Sequence, residues 1–329
     1  MTATSTITAE QIAWSEIDPI AWDKHAAVAG GTLKSAFGDL ALWRRRLALG
    51  GSKTVFVRLR VADRLIGYCA FGSRLGVNVF RDRLLLAPDA EPLWTDAMQA
   101  VVTLAGPGRY LYGSSGAIEL PRQNQIAALA GCRVQQVNEY FIQAIDFQRF
   151  GEWNDYWMAL NGNVRRAVVH ADEIANLHAT TRTGSRALWY LPGFIRAAST
   201  VRERKGALAL GLRDLAQVGS ACIAFGEAAT LLSAEIDGRA CVAQFHVHFG
   251  SDTHYLVGAT RRDGPAVSWW LTMRAVRAAY DHAPKGRLLL GPFDPKLHDD
   301  AIGGGLLRWR RSCRVTDFPV ARVAFEKIA

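Results

Sequence analysis

The chain has 329 residues, 50% of them hydrophobic and 21% charged, which suits a folded globular protein of one large domain or two ordinary ones. Its 39 basic residues against 30 acidic ones leave a net charge of +9, so its surface attracts phosphates, whether of a nucleic acid, coenzyme A, a nucleotide sugar or an anionic membrane. No run approaches the roughly 20 apolar residues of a membrane helix, the N-terminal stretch lacks the pattern of a signal peptide, and the cytoplasm is the expected address. The five cysteines form no CxxC and are odd in number, which argues against a disulfide framework or a structural zinc site.

In chain order, leading helical segments ("IAWDKHAAVAG", "LALWRRRLALGG") come before a hairpin, "VFVRLRV-ADR-LIGYCAFGS", whose alternating apolar residues flank a turn. An amphipathic helix is predicted at about 91–104, then a short apolar strand "RYLYGS", a second helical segment and a closing strand pair. The same order then recurs. Helical segments lead again, one of them opening at Pro192 and Gly193; the hairpin "ATLLSAEI-DGR-ACVAQFHVHF", a helix at about 267–282 and the strand "RLLLGP" follow. Three stretches align in order between the halves: those starting at 61 and 235, at 108 and 286, and at 131 and 312, with offsets of 174, 178 and 181. Small drift of this kind is what loop insertions produce, and the period is domain-sized. The chain therefore reads as two copies of an α+β unit, 1–150 and 151–329, each with a mixed, mostly antiparallel sheet flanked by helices.

Three of the eight histidines fall in "QFHVHFGSDTHY". Odd positions 241–249 are apolar, while Gln244, His246 and His248 share the other face of a strand. A three-residue turn would set His248 across from His254; another length would set it across from Tyr255. Metal ligation, a solvent-facing role and proton transfer all stay open from spacing, with metal the least supported because no carboxylate or thiolate stands at ligand spacing. A histidine of near-neutral pKa suits proton removal from an attacking ammonium. The counterpart in the first copy, "GYCAFGSRLGVN", has no histidine, so the unit's fold does not require them.

The order of elements resembles the GNAT acyltransferase fold present twice, as in the Fem ligase and BioF2-like acetyltransferase group. The resemblance is carried by "EWNDYWMALNGNVRRAVVHADE", by the histidine hairpin, by "SWWLTMRAVRAAYDHAPKGRLLLGPFDP" and by "GGGLLRWRRSCRV", where Fem ligases close on Gly-Leu-x-x-Phe-Lys. It implies transfer of an activated acyl group to a small-molecule amine, with no metal and no tightly bound cofactor. Acyl-CoA is the first-choice donor; aminoacyl-tRNA, with tRNA as a partner, is the alternative; a non-catalytic binding protein on the same fold is a third.

The resemblance places Trp309 and Arg310 at the oxyanion, with Arg310 standing where Fem ligases have lysine, and His246 or His248 near the acceptor. Gln244, Tyr255, Trp270, Asp294, Lys296, Arg165 and Arg166 are candidates for substrate contact. Arg261 and Arg262 precede a helix and are candidates for coenzyme phosphates, although the glycine-rich pyrophosphate loop of single GNAT enzymes is not evident. If "LLRWRRSCR", with four arginines from Arg308 to Arg314, forms a strand, Arg308 and Arg310 share a face. Gly303, Gly304 and Gly305 read as a close approach or a link.

Overall fold

The computed structural model describes residues 6–113, 117–204, 211–260, 267–294 and 301–328. The chain forms two compact units: Met1–Ile142 with Pro319–Ala329, and Gln143–Phe318. These limits differ from the 150/151 boundary read from the repeat, because the segment 143–150 joins the second unit and the last eleven residues join the first.

In the first unit, β1 (Ile7–Ile12), α1 (Pro19–Val28) and α2 (Phe37–Leu49) lead into the β2 (Lys53–Val61) and β3 (Arg64–Arg74) hairpin. Strands β4 (Val77–Phe80) and β5 (Leu85–Leu86), helix α3 (Trp94–Ala105), strand β6 (Gly108–Tyr112), helix α4 (Gln123–Ala127) and strand β7 (Cys132–Asp146) follow. Helix α3 forms because Trp94, Ala97, Met98, Val101 and Val102 repeat at three- and four-residue spacing and are all buried against the sheet. Strand β4 pairs in parallel with β6 through Val77–Val79 and Arg109–Leu111.

The second unit repeats this plan. Helices α5 (Trp153–Ala159) and α6 (Gly162–Asp172), strand β8 (Leu177–Thr183), and helices α7 (Gly184–Leu188), α8 (Leu191–Arg204) and α9 (Leu212–Phe225) come first. Strands β9 (Ala229–Ile236), β10 (Arg239–Phe249) and β11 (Asp252–Thr260), helix α10 (Ser268–His282), strand β12 (Arg287–Phe293), helix α11 (Ala301–Ser312) and strand β13 (Thr316–Lys327) complete it. The sheet order is β12-β11-β10-β9-β8. Helix α10 buries Leu271 and Ala275 in one core cluster and Met273, Val276 and Ala279 in another, and it ends at His282.

Each copy closes on one long strand, β7 or β13, instead of the expected pair. Strand β13 leaves the second unit at Phe318, and its later residues pair antiparallel with β6, Val323 opposite Tyr112 and Phe325 opposite Tyr110. The "GGGLLRWRRS" stretch is helical, so glycines 303–305 are neither a link nor a turn, and Arg308 and Arg310 do not share a strand face. Among the described residues, no helix is long and apolar enough to cross a membrane.

Candidate active site

The second unit departs from the first at β11. The β10–β11 turn is two residues, Gly250 and Ser251, with Gly250 at φ +60°, so Phe249 faces Asp252 and His248 faces Thr253. This corrects the expected pairing of His248 with His254 or Tyr255. His254 lies opposite Val247, on the face away from His246 and His248. His246 faces Tyr255 but Phe245 faces Val257, which leaves Leu256 as an extra residue in β11. An extra residue of this kind bends the strand that carries it. Strand β11 pairs in parallel with β12 only through Asp252–His254 and Arg287–Leu289. The ladder ends at those rungs, and Tyr255 and Leu290 are the first residues in the wedge past its end.

Arg310, on α11, reaches β12, whose neighbour on the side away from β11 is β7. Its Nη1 donates to the Pro292 carbonyl at 3.1 Å and to Gln143 Oε1 at 3.0 Å, and its Nη2 donates to the Leu290 carbonyl at 2.5 Å. Gln143 Nε2 in turn donates to Asp317 Oδ1 at 2.8 Å, which relays a carboxylate to the buried cation. Arg310 is 6% exposed, its Nε has no partner among the described residues, and burial pulls its pKa down to about 10. Beside it, Trp309 places its ring 5.7 Å from that of Tyr255, whose other neighbour is the His246 ring at 5.4 Å, edge-on.

A polar line runs from α10 into the wedge. Gln244 Nε2 donates to Thr272 Oγ1 at 2.9 Å, and Gln244 Oε1 lies 3.3 Å from His246 Nε2. An amide oxygen only accepts, so His246 carries its proton on Nε2 and its Nδ1 lone pair is left buried without a partner among the described residues. A cavity of about 10 Å³, room for one water, is lined by Gln244, His246, Tyr255, Thr272 and Trp309. Burial, with His248 adding to it, lowers the His246 pKa to about 3, and burial pushes the Tyr255 phenol up to about 12. Both side chains are neutral near pH 7.

The structure thus gathers Gln244, His246, Tyr255, Trp309 and Arg310. His248 points elsewhere: its Nδ1 meets Thr253 Oγ1 at 2.7 Å, its ring lies 4.4 Å from His282, and burial lowers its pKa to about 4. The expected near-neutral histidine is therefore absent from this pair. Trp270 is buried in a separate groove of about 270 Å³ with Trp153, Trp157, Arg274 and Arg277, and its Nε1 donates to Asp172 Oδ1 at 2.6 Å. Arg165 and Arg166 bond locally, to Met158 Sδ and Asn163 Oδ1. Asp294 directly follows β12; Lys296, Arg261 and Arg262 lie outside the described residues. Sequence reasoning missed Gln143, Thr272 and Asp317, which have no motif around them. It also missed Leu256, whose only signal is a break in the alternation of β11.

No family model matches the sequence, and no curated protein matches it. Solved structures do. The structure of FemX superposes with a TM-score of 0.70 over 97% of each chain at 11% identity. A conserved protein of unknown function from Bacteroides thetaiotaomicron gives 0.55 at 11% identity, over 95% of this chain and 98% of that one. L-PGS from Bacillus licheniformis gives 0.52 at 10% identity, over 94% of this chain and 92% of that one. The likeness is one of fold: the chain has the double-GNAT architecture of the Fem group.

Proposed function

We propose, from the double-GNAT fold shared with FemX, that the protein is an N-acyltransferase that moves an activated acyl group from acyl-CoA onto an amine. The observation that carries this reading is the wedge between β11 and β12. There the parallel ladder stops after three rungs, and the wedge stands in the unit whose β11 is bulged. The equivalent strand of the first unit, β4, pairs with β3 without a register shift.

In this reading the acyl carbonyl enters the wedge and the amine nitrogen attacks its carbon. A C–N bond forms, the C–S bond breaks, and the thiolate leaves with the proton the amine gives up. His246 Nδ1, neutral and unpaired, accepts a hydrogen bond from the attacking amine and orients it; a pKa of about 3 makes it a positioning acceptor more than a strong base. Arg310 keeps β12 in its parted position, and its buried charge favours the oxyanion of the tetrahedral intermediate. Tyr255 and Trp309 form the aromatic wall. Arg261 and Arg262, ahead of the α10 N-terminus, are the proposed phosphate contacts.

The net charge of +9 favours one second reading, an aminoacyl-tRNA donor, in which the leaving group is the ribose oxygen of the tRNA end. Incubating the protein with acyl-CoAs or charged tRNA, together with candidate amines, and reading amide products by mass spectrometry tests both. A tRNA donor should also bind with affinity that falls steeply with salt. No amide from either donor would overturn the acyltransferase reading in favour of a binding protein.

A further inference from the structure

Helix α8 does not pack flush on the sheet of the second unit. Between them lies a cavity of about 310 Å³, on the face opposite Gln244 and His246. Protein interiors are close-packed, with few voids larger than a water molecule. This one exists because small residues stand where larger ones would fill it: Ala243 on β10, Ala259 beside it on β11, and Gly193 and Ala197 on α8. Phe194 and Leu231 add larger apolar surface.

One end is charged. Arg182 Nη1 donates to Glu235 Oε1 at 2.7 Å and to Ser233 Oγ at 2.9 Å, and Ser233 Oγ donates to the same carboxylate oxygen at 2.8 Å. The guanidinium lies 4.0 Å over the Tyr190 ring, which fixes its plane. Glu235 is 8% exposed. Arg182 and Glu235 present one charge of each sign, with His178 Nε2 3.8 Å from Glu235 Oε2, so a ligand bearing both signs meets each with its opposite.

We propose that this cavity binds a free α-amino acid with a large apolar side chain, its carboxylate against Arg182, its ammonium against Glu235 and Ser233, and its side chain over Ala243 and Ala259 beneath Phe194. The ammonium belongs to the amine class that the proposed acyl transfer consumes, yet the inference concerns binding alone and stands or falls independently of that reaction.

Calorimetric titration of the whole chain with L-phenylalanine, L-leucine and L-tryptophan tests it, beside glycine, 3-phenylpropionate and phenethylamine, which lack the side chain, the ammonium and the carboxylate respectively. The expected result is saturable binding of at least one apolar amino acid, with each corresponding truncated analogue at least tenfold weaker. Ala243→Leu, which fills the floor, should weaken binding at least tenfold while thermal unfolding stays cooperative. If Ala243→Leu does not fold, Ala197→Leu on α8 decides by the same criterion. Silence with all three amino acids, phenethylamine or 3-phenylpropionate binding as tightly as phenylalanine, or full binding by a folded filled variant would each overturn the proposal.

Discussion

Arg310 shows how one side chain can be both structural and functional. Its hydrogen bonds tie two β12 carbonyls to Gln143 on β7, so removing it leaves buried acceptors unmet as well as deleting a charge. Arg310→Ala should abolish turnover and also cost about 3 kcal/mol of stability, because buried acceptors are left unmet. Arg310→Lys keeps the charge but loses the fork, and should retain most of the stability while turnover falls at least tenfold. Denaturant unfolding and initial rates separate the two, and an alanine variant of unchanged stability would contradict the assignment. Gly258 makes a second test. A methyl group there would collide with the Tyr255 hydroxyl, the movable end of a side chain, so Gly258→Ala should displace the ring from Trp309 and lower activity with little loss of stability. Tryptophan fluorescence would report the displacement. His246 gives a pH signature. Its folded pKa of about 3 lies below the unfolded value of about 6.5, so between these values the unfolded chain binds the extra proton and stability falls as pH falls. From pH 6.5 to 5 the loss should be about 2 kcal/mol from this residue, and His246→Gln should flatten that part of the stability profile; an equally steep profile in the variant would refute the buried neutral state.

At the scale of elements, what matters is the parting of β11 and β12 and its cause. Leu256 is the residue that breaks step, and the register is regular on either side of it, His246 with Tyr255 and Phe245 with Val257. Deleting Leu256 therefore leaves both flanking registers as they are and removes only the bend, since every other residue keeps its face. The deletion variant should fold with a similar unfolding midpoint, displace Tyr255 from Trp309 and lose amide formation; retained turnover would show that the bulge does not shape the site. The hairpin, the helix over 268–282 and the short strand that follows were all legible in the sequence, because apolar periodicity and glycine turns are local signals. The closing motif stood out in the sequence without its structure: "LLRWRRSCR" alternates well enough for a strand, but α11 turns Trp309 towards Tyr255 and Arg310 towards β12. Gln143 and Asp317 were not legible, since they meet Arg310 from distant points in the chain, with nothing local in either segment to mark them. The pKa of His246 was likewise beyond reach. Period-2 alternation marks it as polar-faced, but α10 covers that face and removes the water that would keep its pKa near neutral.

At the scale of the whole molecule, the duplication is not a simple tandem. The first unit is completed by the segment Pro319–Ala329, which pairs with β6 and carries Ala321, Val323 and Phe325 into its core. Phe325 stacks on Tyr110, ring centroids 5.0 Å apart and nearly parallel. Burying the valine and the phenylalanine contributes about 1.5–3 kcal/mol each, a large share of the about 5–15 kcal/mol of an ordinary domain. The first unit should therefore hold its fold only once the last strand has been made, even though nearly all of its sequence comes first. A chain truncated after Phe318 should lose amide-exchange protection throughout β2, β3, α3 and β6, while β9, β10 and α10, whose partners all lie within 143–318, keep theirs. A synthetic peptide of residues 319–329 added in trans should restore protection to the first unit in proportion to its concentration, as expected for a strand that binds only the folded form. Unchanged protection of β6 in the truncated chain would show that the first unit folds without its borrowed strand.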